Sequence, residues 1–322
     1  MGRPDGALEI PFLKGHMGGN TIALLPGGSL PPERELETVL TALQDTHLGC
    51  HEAGLVSPPS GSGRLPLKIV GRSSRKYITA CGGLTQVLGA AIGTGQLAEV
   101  FGFGPSGPSQ VVLETDTGVV RLSIGVFEGS VRTETDLTAF LEEVLESGVE
   151  EVRLGGTRAV RAGKFLVVHA DDLLDRFTAE EIVALVPRVR LFLAELQAEF
   201  LDRYPQASLD FAVYDLHPKR PDTLGRVVFP HWLPGGHVEP ACGTGTVAVC
   251  AVLVFQGLLP GPSASRGREL RFESGGGPDL GGPDTTTALL EMDAGNIRSI
   301  RFSHSLVELT SKGRVMLETN ER

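Results

Sequence analysis

Residues 241–253 read ACGTGTVAVCAVL, and the earlier residues 80–92 read ACGGLTQVLGAAI. Each stretch opens with Ala-Cys-Gly and continues into a run of small and apolar residues long enough to form a buried helix. Glycines after each cysteine leave the backbone at the helix start open to close approach by another group. The repetition of this unusual helix start predicts an internally duplicated chain.

The composition is that of a globular protein. The chain has 322 residues, of which 41% are hydrophobic and 21% charged, a length that suits one large domain or two ordinary ones. Its net charge of −10 argues against nucleic acid or an anionic membrane as a partner. No apolar run reaches membrane-spanning length, and the N-terminal residues lack a secretory pattern. The cytoplasm is therefore the expected compartment.

The cysteines fall into two kinds. Cys50, Cys81, Cys242 and Cys250 are too sparse for a disulfide framework, and none belongs to a CxxC zinc motif. A free cysteine is ordinarily a small buried hydrophobe. That interpretation fits Cys250, which lies inside the second apolar run, and the sequence leaves Cys50 undecided. The glycine-rich helix starts favour a chemical role for Cys81 and Cys242.

The two halves of the chain repeat the same order of elements. Each half has an apolar strand after a glycine, then a helix, then its Ala-Cys-Gly helix, and then a strand that carries a glutamate, Glu114 in one half and Glu273 in the other. The first helix of the second half begins with a capping-box pattern at Thr178 and Glu181. The apolar spacing after it predicts one amphipathic helix from residue 179 to residue 200.

These patterns predict an α+β fold with two pseudo-symmetric domains, each a mixed or antiparallel sheet wrapped around a central helix. We place the first domain at residues 1–152, with Cys81, and the second at residues 153–304, with Cys242. The C-terminal residues 305–322 are expected to return to the first domain as a strand.

The two helix starts suggest a chemistry. A thiolate at a helix N-terminus is stabilised by unpaired N–H groups and by the helix dipole, which predicts a lowered pKa for Cys81 and Cys242. The same N–H groups can bind a carboxylate. Two such thiols suit a racemase without a cofactor, because one removes a proton from a carbon and the other delivers a proton to the opposite face. We therefore expect the two sulfurs to face each other across one substrate carbon.

Four segments together resemble the diaminopimelate epimerase superfamily, which includes proline racemases and phenazine-biosynthesis-type isomerases. They are residues 12–20 (FLKGHMGGN), 81–83 (CGG), 162–165 (AGKF) and 239–245 (EPACGTG). The resemblance implies an isomerase with the substrate between two domains, Cys81 and Cys242 as catalytic residues, and neither pyridoxal phosphate nor a metal. A homodimer acting on a small amino acid is usual in such families.

The resemblance also implies further site residues. Glu52 falls where the phenazine-type isomerases carry their catalytic glutamate; its ordinary interpretation is a surface carboxylate in a turn. The substrate is expected to contact residues of the four matching segments, namely Asn20, Gly82, Gly83, Glu239, Gly243, Thr244 and Gly245.

Two details are similar to the histidine racemases of opine-metallophore biosynthesis. They are residues 46–55 (THLGCHEAGL) and the position of Glu239 three residues before Cys242. The resemblance therefore suggests histidine, or another polar or basic amino acid, as the substrate.

Three positions depart from the superfamily pattern. Gly83 replaces the usual Asn or His, and Leu233 and Pro234 replace the Glu-Arg pair that grips diaminopimelate, which disfavours diaminopimelate as the substrate. Two alternatives stay open at this point. One is a phenazine-type isomerase that uses Glu52 as general acid and base, and the other is a binding homologue that has lost activity.

Overall fold

The computed structural model describes residues 7–30, 32–61, 63–116, 118–204, 210–231, 233, 238–259, 267–275 and 284–318. The helices are α1 (Glu35–Ala42), α2 (Gly82–Gly93), α3 (Gln96–Phe101), α4 (Thr138–Glu146), α5 (Ala179–Ala184), α6 (Pro187–Arg203) and α7 (Gly243–Phe255). The strands of the first half are β1 (Ala7–Met17), β2 (Asn20–Pro26), β3 (Glu52–Val56), β4 (Leu65–Gly71), β5 (Lys76–Ile78), β6 (Ser109–Thr115), β7 (Gly118–Phe127) and β8 (Ser130–Asp136). The remaining strands are β9 (Val149–Leu154), β10 (Thr157–Ala162), β11 (Phe165–His169), β12 (Asp210–Asp215), β13 (Gly225–Pro230), β14 (Val238–Glu239), β15 (Gly267–Ser274), β16 (Thr285–Asp293), β17 (Asn296–His304) and β18 (Val307–Glu318).

The contacts divide the chain into two units. The first unit comprises the residues up to Thr135 together with those from Val307 onwards, and the second runs from Asp136 to Leu306. The sequence placed the division after residue 152, inside what the structure forms as β9. Strand β18 pairs antiparallel with β1 along most of its length, so the C-terminal strand belongs to the first unit.

The first unit is built on one mixed sheet. Its strands pair in the order β18, β1, β2, β3, β4, β6, β7, β8. The pairings of β2 with β3 and of β4 with β6 are parallel, and the others are antiparallel. The short strand β5 adds to β4 from the side. Both parallel pairings are crossovers that contain a helix, as parallel strands require.

The second unit repeats this arrangement strand for strand. Its order is β9, β10, β11, β12, β13, β15, β16, β17, and the parallel pairings are again the third and the fifth, β11 with β12 and β13 with β15. The short strand β14 adds to β13 as β5 adds to β4. The expected pseudo-symmetric α+β fold is therefore confirmed.

Each sheet packs around one buried helix. Helix α2 contacts β18, β1, β2, β3 and β7, and helix α7 contacts strands from β9 to β12 as well as β16 and β17. Every residue of α2 from Gly82 to Ile92 is buried, as is every residue of α7 from Gly243 to Leu253. A helix with no polar face is stable only where apolar groups surround it, which is why these two runs of small residues lie at the centre of their units.

The helix expected over residues 179–200 is two helices, so that prediction was wrong. Helix α5 ends before Leu185, which adopts a left-handed conformation with φ of 49°, and α6 begins at Pro187. Proline disfavours helical conformation in the residue before it and has no N–H to donate, so it starts a helix rather than continuing one. The capping box expected at Thr178 and Glu181 is present at the start of α5. None of the helices in the described ranges is both long and apolar enough to cross a membrane.

Candidate active site

The two cysteines occupy the same structural position in their units. Each is the N-cap of the central helix, Cys81 of α2 with φ/ψ of −148°/112° and Cys242 of α7 with −143°/124°. The Sγ of Cys81 accepts a hydrogen bond from the Leu84 N–H at 3.3 Å. The first N–H groups of a helix have no acceptor within the helix. Each cysteine therefore stands beside backbone donors that can hold an anionic group.

Asn20 lies against Gly83 in the first turn of α2 and is hydrogen-bonded to His51, and Glu52 follows His51 in the chain. Asn20 is the first residue of β2 and Glu52 the first residue of β3. Because the parallel pairing aligns Ile22 with Glu52, Asn20 and Glu52 lie at the same end of these two neighbouring strands. The side chains of Asn20 and His51 form a hydrogen bond of 3.0 Å. Glu52 is buried, which does not fit the ordinary interpretation of a surface carboxylate in a turn.

Gly83 has a packing reason as well as a place in the motif. A Cβ at this position would lie 3.1 Å from Asn20 Nδ2 and 3.5 Å from Met17 Cε. The glycine thus allows the Asn20 amide to lie against the first turn of α2. A larger side chain at this position would have to displace the Asn20 amide.

The Cys242 cluster consists of Cys242, His231, Glu239, Asp210 and Lys164. Asp210 opens β12 and His231 follows β13; these strands pair antiparallel with Val213 opposite Val228, and continuing that register places Asp210 opposite His231. Strand β14 pairs Glu239 with Phe229 and leads into the start of α7. Three strand ends and one helix start therefore meet at one place in the second unit.

The cluster is closely connected. His231 Nδ1 lies 3.2 Å from Asp210 Oδ1, and its Nε2 lies 3.1 Å from Glu239 Oε2. Lys164 Nζ lies 3.6 Å from the other oxygen of Asp210. The hydroxyl of Thr244 lies 3.4 Å from Cys242 Sγ. Within the described part of the chain, His231, Glu239 and Cys242 are the group whose donor atoms are close enough to hold a metal ion.

His231 carries the positive charge of this cluster. Burial favours its neutral form, but the charge of Glu239 and the hydrogen bonds with Asp210 and Cys242 outweigh it and hold the pKa of His231 well above its ordinary value. Burial raises the pKa of the Asp210 carboxyl, but the hydrogen bond with His231 and the charge of His231 outweigh it, and the pKa is lowered. The imidazolium is therefore held between two carboxylates at the sulfur of Cys242.

The pKa predicted for Cys242 was wrong in sign. Burial raises the pKa of the Cys242 thiol above its ordinary value, the charge of Glu239 raises it further, and the hydrogen bond and charge of His231 only partly offset these effects. The sequence shows the helix start but neither the depth of burial nor the neighbouring carboxylate. Cys242 consequently rests as a thiol, the form that donates a proton.

The other cysteines are structural. Cys50 and Cys250 are fully buried, and burial raises the pKa of Cys50 to about 11 and that of Cys250 to about 12. Thiols with such values are poor nucleophiles at neutral pH. The interpretation of Cys250 as a packed core residue is confirmed, and Cys50, which the sequence left undecided, belongs to the core beneath α1.

Gly245, which is expected to contact the substrate, also has a packing reason to be glycine. A Cβ at Gly245 would come within 2.4 Å of the Phe229 ring and 3.3 Å of the Phe165 ring. The glycine lets α7 approach β13 and β11 closely. The expected substrate contacts of Gly243, Thr244 and Gly245 stay predictions.

Replacing Gly245 with alanine is expected to lower the free energy of unfolding by about 1–3 kcal/mol, because the added methyl group overpacks the contact with Phe229. Urea unfolding measures the effect. The additional substitution Phe229→Leu removes the ring atoms that the methyl group meets, so the double variant should lose less than the two single changes summed. Strictly additive losses would contradict this account of Gly245.

Sequence reasoning missed His231 and Asp210. Each stands next to an apolar strand, His231 after residues 227–230 and Asp210 before residues 211–214, and a polar residue at a strand end is too common to attract notice. The signal that connects them is the antiparallel register of β12 and β13, which no local pattern contains.

Comparisons with known proteins place the fold. No family model matches the sequence, and no curated protein matches it either. Among solved structures, the chain is similar to a hydroxyproline epimerase from Agrobacterium vitis with bound trans-4-hydroxy-L-proline, with a TM-score of 0.66, 16% identity and coverage of 97% of this chain and 94% of that one.

Two further structures share the arrangement. The phenazine biosynthesis protein of the PhzF family from Bacillus anthracis gives a TM-score of 0.59 at 13% identity, covering 97% of this chain and 99% of that one. A methylitaconate-delta-isomerase gives 0.59 at 13% identity, covering 98% and 97%. At these identities the likeness establishes a common fold, and the fold implied by the resemblance to the diaminopimelate epimerase superfamily is confirmed.

Proposed function

We propose that this chain is a racemase or epimerase of a free amino acid, an isomerase that uses Cys81 and Cys242 as its two proton-transferring groups and needs no pyridoxal phosphate. One observation carries the proposal. In two units with the same strand order, a cysteine caps the buried central helix with nearly the same backbone angles. The names of the solved structures that share the fold, an epimerase and an isomerase among them, support the reaction class.

The proposed chemistry is a transfer of two protons. One cysteine, as a thiolate, removes the proton from the α-carbon, and the other, as a thiol, delivers its own proton to the opposite face. The configuration inverts, and the two cysteines exchange protonation states. The proposal requires both sulfurs to reach the same carbon, which remains a prediction.

The protonation state of Cys242 suggests which cysteine acts as acid and which as base in the first turnover. Since burial and Glu239 raise its pKa, Cys242 begins as the thiol that donates, and Cys81 is then the base of the first turnover. The imidazolium of His231 stabilises negative charge on the Cys242 sulfur once the proton has left. We therefore propose His231 as the residue that makes the thiol a usable donor, and Glu239 and Asp210 as the residues that hold its charge and orientation.

The substrate needs stabilisation of negative charge, because an α-proton is a very weak acid. The backbone N–H groups of Gly82 and Gly83 and those of Gly243 and Thr244 lie at helix starts, where the helix dipole favours an anion. We propose that they bind the substrate carboxylate. Glu52 at the start of β3 is proposed to hold the ammonium group or assist proton movement. Proline, 4-hydroxyproline and histidine are the first substrates to test.

Incubation in heavy water tests the proposal. A panel of L-amino acids is mixed with the enzyme, and the α-position is followed by proton NMR together with optical rotation. We expect one or more amino acids to gain deuterium at the α-carbon while optical rotation decays to zero or, for a substrate with a second stereocentre, to a new constant value. Deuterium at another carbon, without inversion, would instead indicate the phenazine-type isomerase with Glu52 as general acid and base.

A Glu52→Gln variant separates these outcomes further. In the two-cysteine reaction this variant should retain measurable exchange at the α-carbon, whereas in the alternative it removes the group that moves the proton. If no carbon of any amino acid exchanges its proton, the proposal is contradicted and the remaining alternative is a binding homologue that has lost activity.

A further inference from the structure

We propose that Cys242, His231 and Glu239 form a binding site for a zinc ion, and that zinc bound there blocks the enzyme. The proposed zinc binding is based on the positions of the three donor atoms in the second unit. The blocking rests on the proposed function, because it requires the Cys242 sulfur to be a reacting group.

The three donor atoms are already gathered. The Sγ of Cys242, a ring nitrogen of His231 and a carboxylate oxygen of Glu239 all lie within 4.8 Å of one another. Zinc bonds of about 2.0–2.3 Å in tetrahedral geometry hold their ligand atoms roughly 3.3–3.8 Å apart. The nitrogen–oxygen separation in the structure is 3.1 Å and the sulfur lies within 4.8 Å of both atoms, so a movement of the sulfur by at most about 1–1.5 Å completes the site.

Asp210 prepares the histidine for a metal. It binds Nδ1 of His231 at 3.2 Å, so Nε2 is the nitrogen directed at Glu239. In protein metal sites a carboxylate commonly holds the far nitrogen of a ligating histidine, which fixes the ring and raises its basicity. Lys164 in turn holds the other oxygen of Asp210. The ring is thus oriented before any ion arrives.

The donor set selects zinc over hard cations. A thiolate, an imidazole and a carboxylate match the borderline-soft character of Zn²⁺, whereas Mg²⁺ and Ca²⁺ prefer oxygen ligands alone. Zinc binding displaces to solvent the thiol proton of Cys242 and the Nε2 proton of the His231 imidazolium. The resulting thiolate and the carboxylate of Glu239 together supply two negative charges, which balance the dication where all three side chains are buried. Three protein ligands leave a fourth position for water or another ligand.

The experiment is a zinc titration of chelator-treated protein against a colorimetric zinc indicator. We expect one tight site per chain. Cys242→Ser and His231→Gln should abolish the tight site, and Asp210→Asn should weaken it by about 10–100-fold, because it removes only the residue that orients the histidine. Cys250→Ala is the matched control, a buried thiol on the same helix, and should bind zinc as the unaltered chain does.

Cobalt gives a readout that does not depend on any variant. Co²⁺ in place of zinc should produce a near-ultraviolet charge-transfer band from a thiolate ligand, with visible bands of tetrahedral coordination. The band should persist in Cys81→Ser and in His217→Gln; His217 belongs with His169 and Asp171 to a separate group in the second unit. A tight site without the thiolate band, or a band lost in His217→Gln, would overturn the proposal, as would the lack of a stoichiometric site.

The titration separates this inference from the proposed function. Metal-free enzyme that racemises and loses activity in proportion to zinc bound supports both. Zinc binding through the three ligands in a protein that exchanges no α-proton leaves the site intact and refutes the racemase. Racemisation by a protein that does not bind zinc refutes the site alone. Full racemisation by the zinc-loaded enzyme refutes the blocking.

Discussion

Replacing Cys242 with serine is expected to slow racemisation by roughly 10²–10⁴-fold, the range that a positioned acid or base contributes. A hydroxyl group is a far weaker acid than a thiol and cannot cycle between donor and base near neutral pH. The fold should be retained, because serine is nearly the same size and is among the best residues at a helix N-cap. Decay of the optical rotation gives the rate of inversion, and circular dichroism reports the fold.

The same loss is expected for Cys81→Ser, because the proposed reaction uses both cysteines in every turnover, one as the base and the other as the acid. Cys250→Ala is the control, since this thiol is buried in apolar surroundings and should leave the rate within a small factor. A single cysteine variant with full activity would remove the two-cysteine reaction. Loss in one variant only would point to a one-base reaction at the thiol that this variant lacks.

Replacing His231 with glutamine is expected to lower the free energy of unfolding by about 3–5 kcal/mol at neutral pH, the usual cost of removing one partner from a buried ion pair. His231 is 8% exposed and Glu239 4%, and without the imidazolium the carboxylates of Glu239 and Asp210 lose their common positive neighbour. Urea unfolding of the two proteins measures the difference.

The contribution of His231 to the free energy of unfolding should decrease as the pH rises. The folded protein raises the pKa of His231 above its unfolded value, so its stabilising contribution is complete at pH values below the ordinary histidine pKa and is lost as the pH rises through the raised value. The stability gap between the unaltered chain and His231→Gln should therefore narrow at alkaline pH. A constant or widening gap would contradict a protonated His231.

A matched control and a second readout exclude a merely structural role. His217 also has a raised pKa, owing to its hydrogen bond with Asp215, but its side chain is 70% exposed, so His217→Gln should change stability little. In a Cys81→Ser background, the pH profile for alkylation of Cys242 by iodoacetamide should shift to higher pH in His231→Gln. The reason is that His231 partly offsets the effects that raise the pKa of Cys242, and its removal raises that pKa further. An unshifted profile would mean that His231 does not act on the sulfur.

Local patterns in the sequence were sufficient for the two central helices. Apart from Gln86, residues 82–92 and 243–253 are apolar or small on every side, so a sheet around each helix is needed to bury them. The cysteine followed by glycine at each start marks the cap. The doubled order of strands and helices is equally visible because each element has its own periodicity. The break before Pro187 was also readable, and was missed because the apolar spacing continues across it.

The chain by itself therefore determined the α+β duplication and the places of Cys81 and Cys242. Only the tertiary structure decided the surroundings of Cys242: the meeting of Asp210 with His231, the sign of the Cys242 pKa shift and the packing that requires glycine at residue 245. The physical reason is the distance along the chain over which each kind of interaction acts. Caps and helix periodicity arise from neighbours a few residues apart, whereas strand register and burial depend on pairings between segments that no local pattern connects.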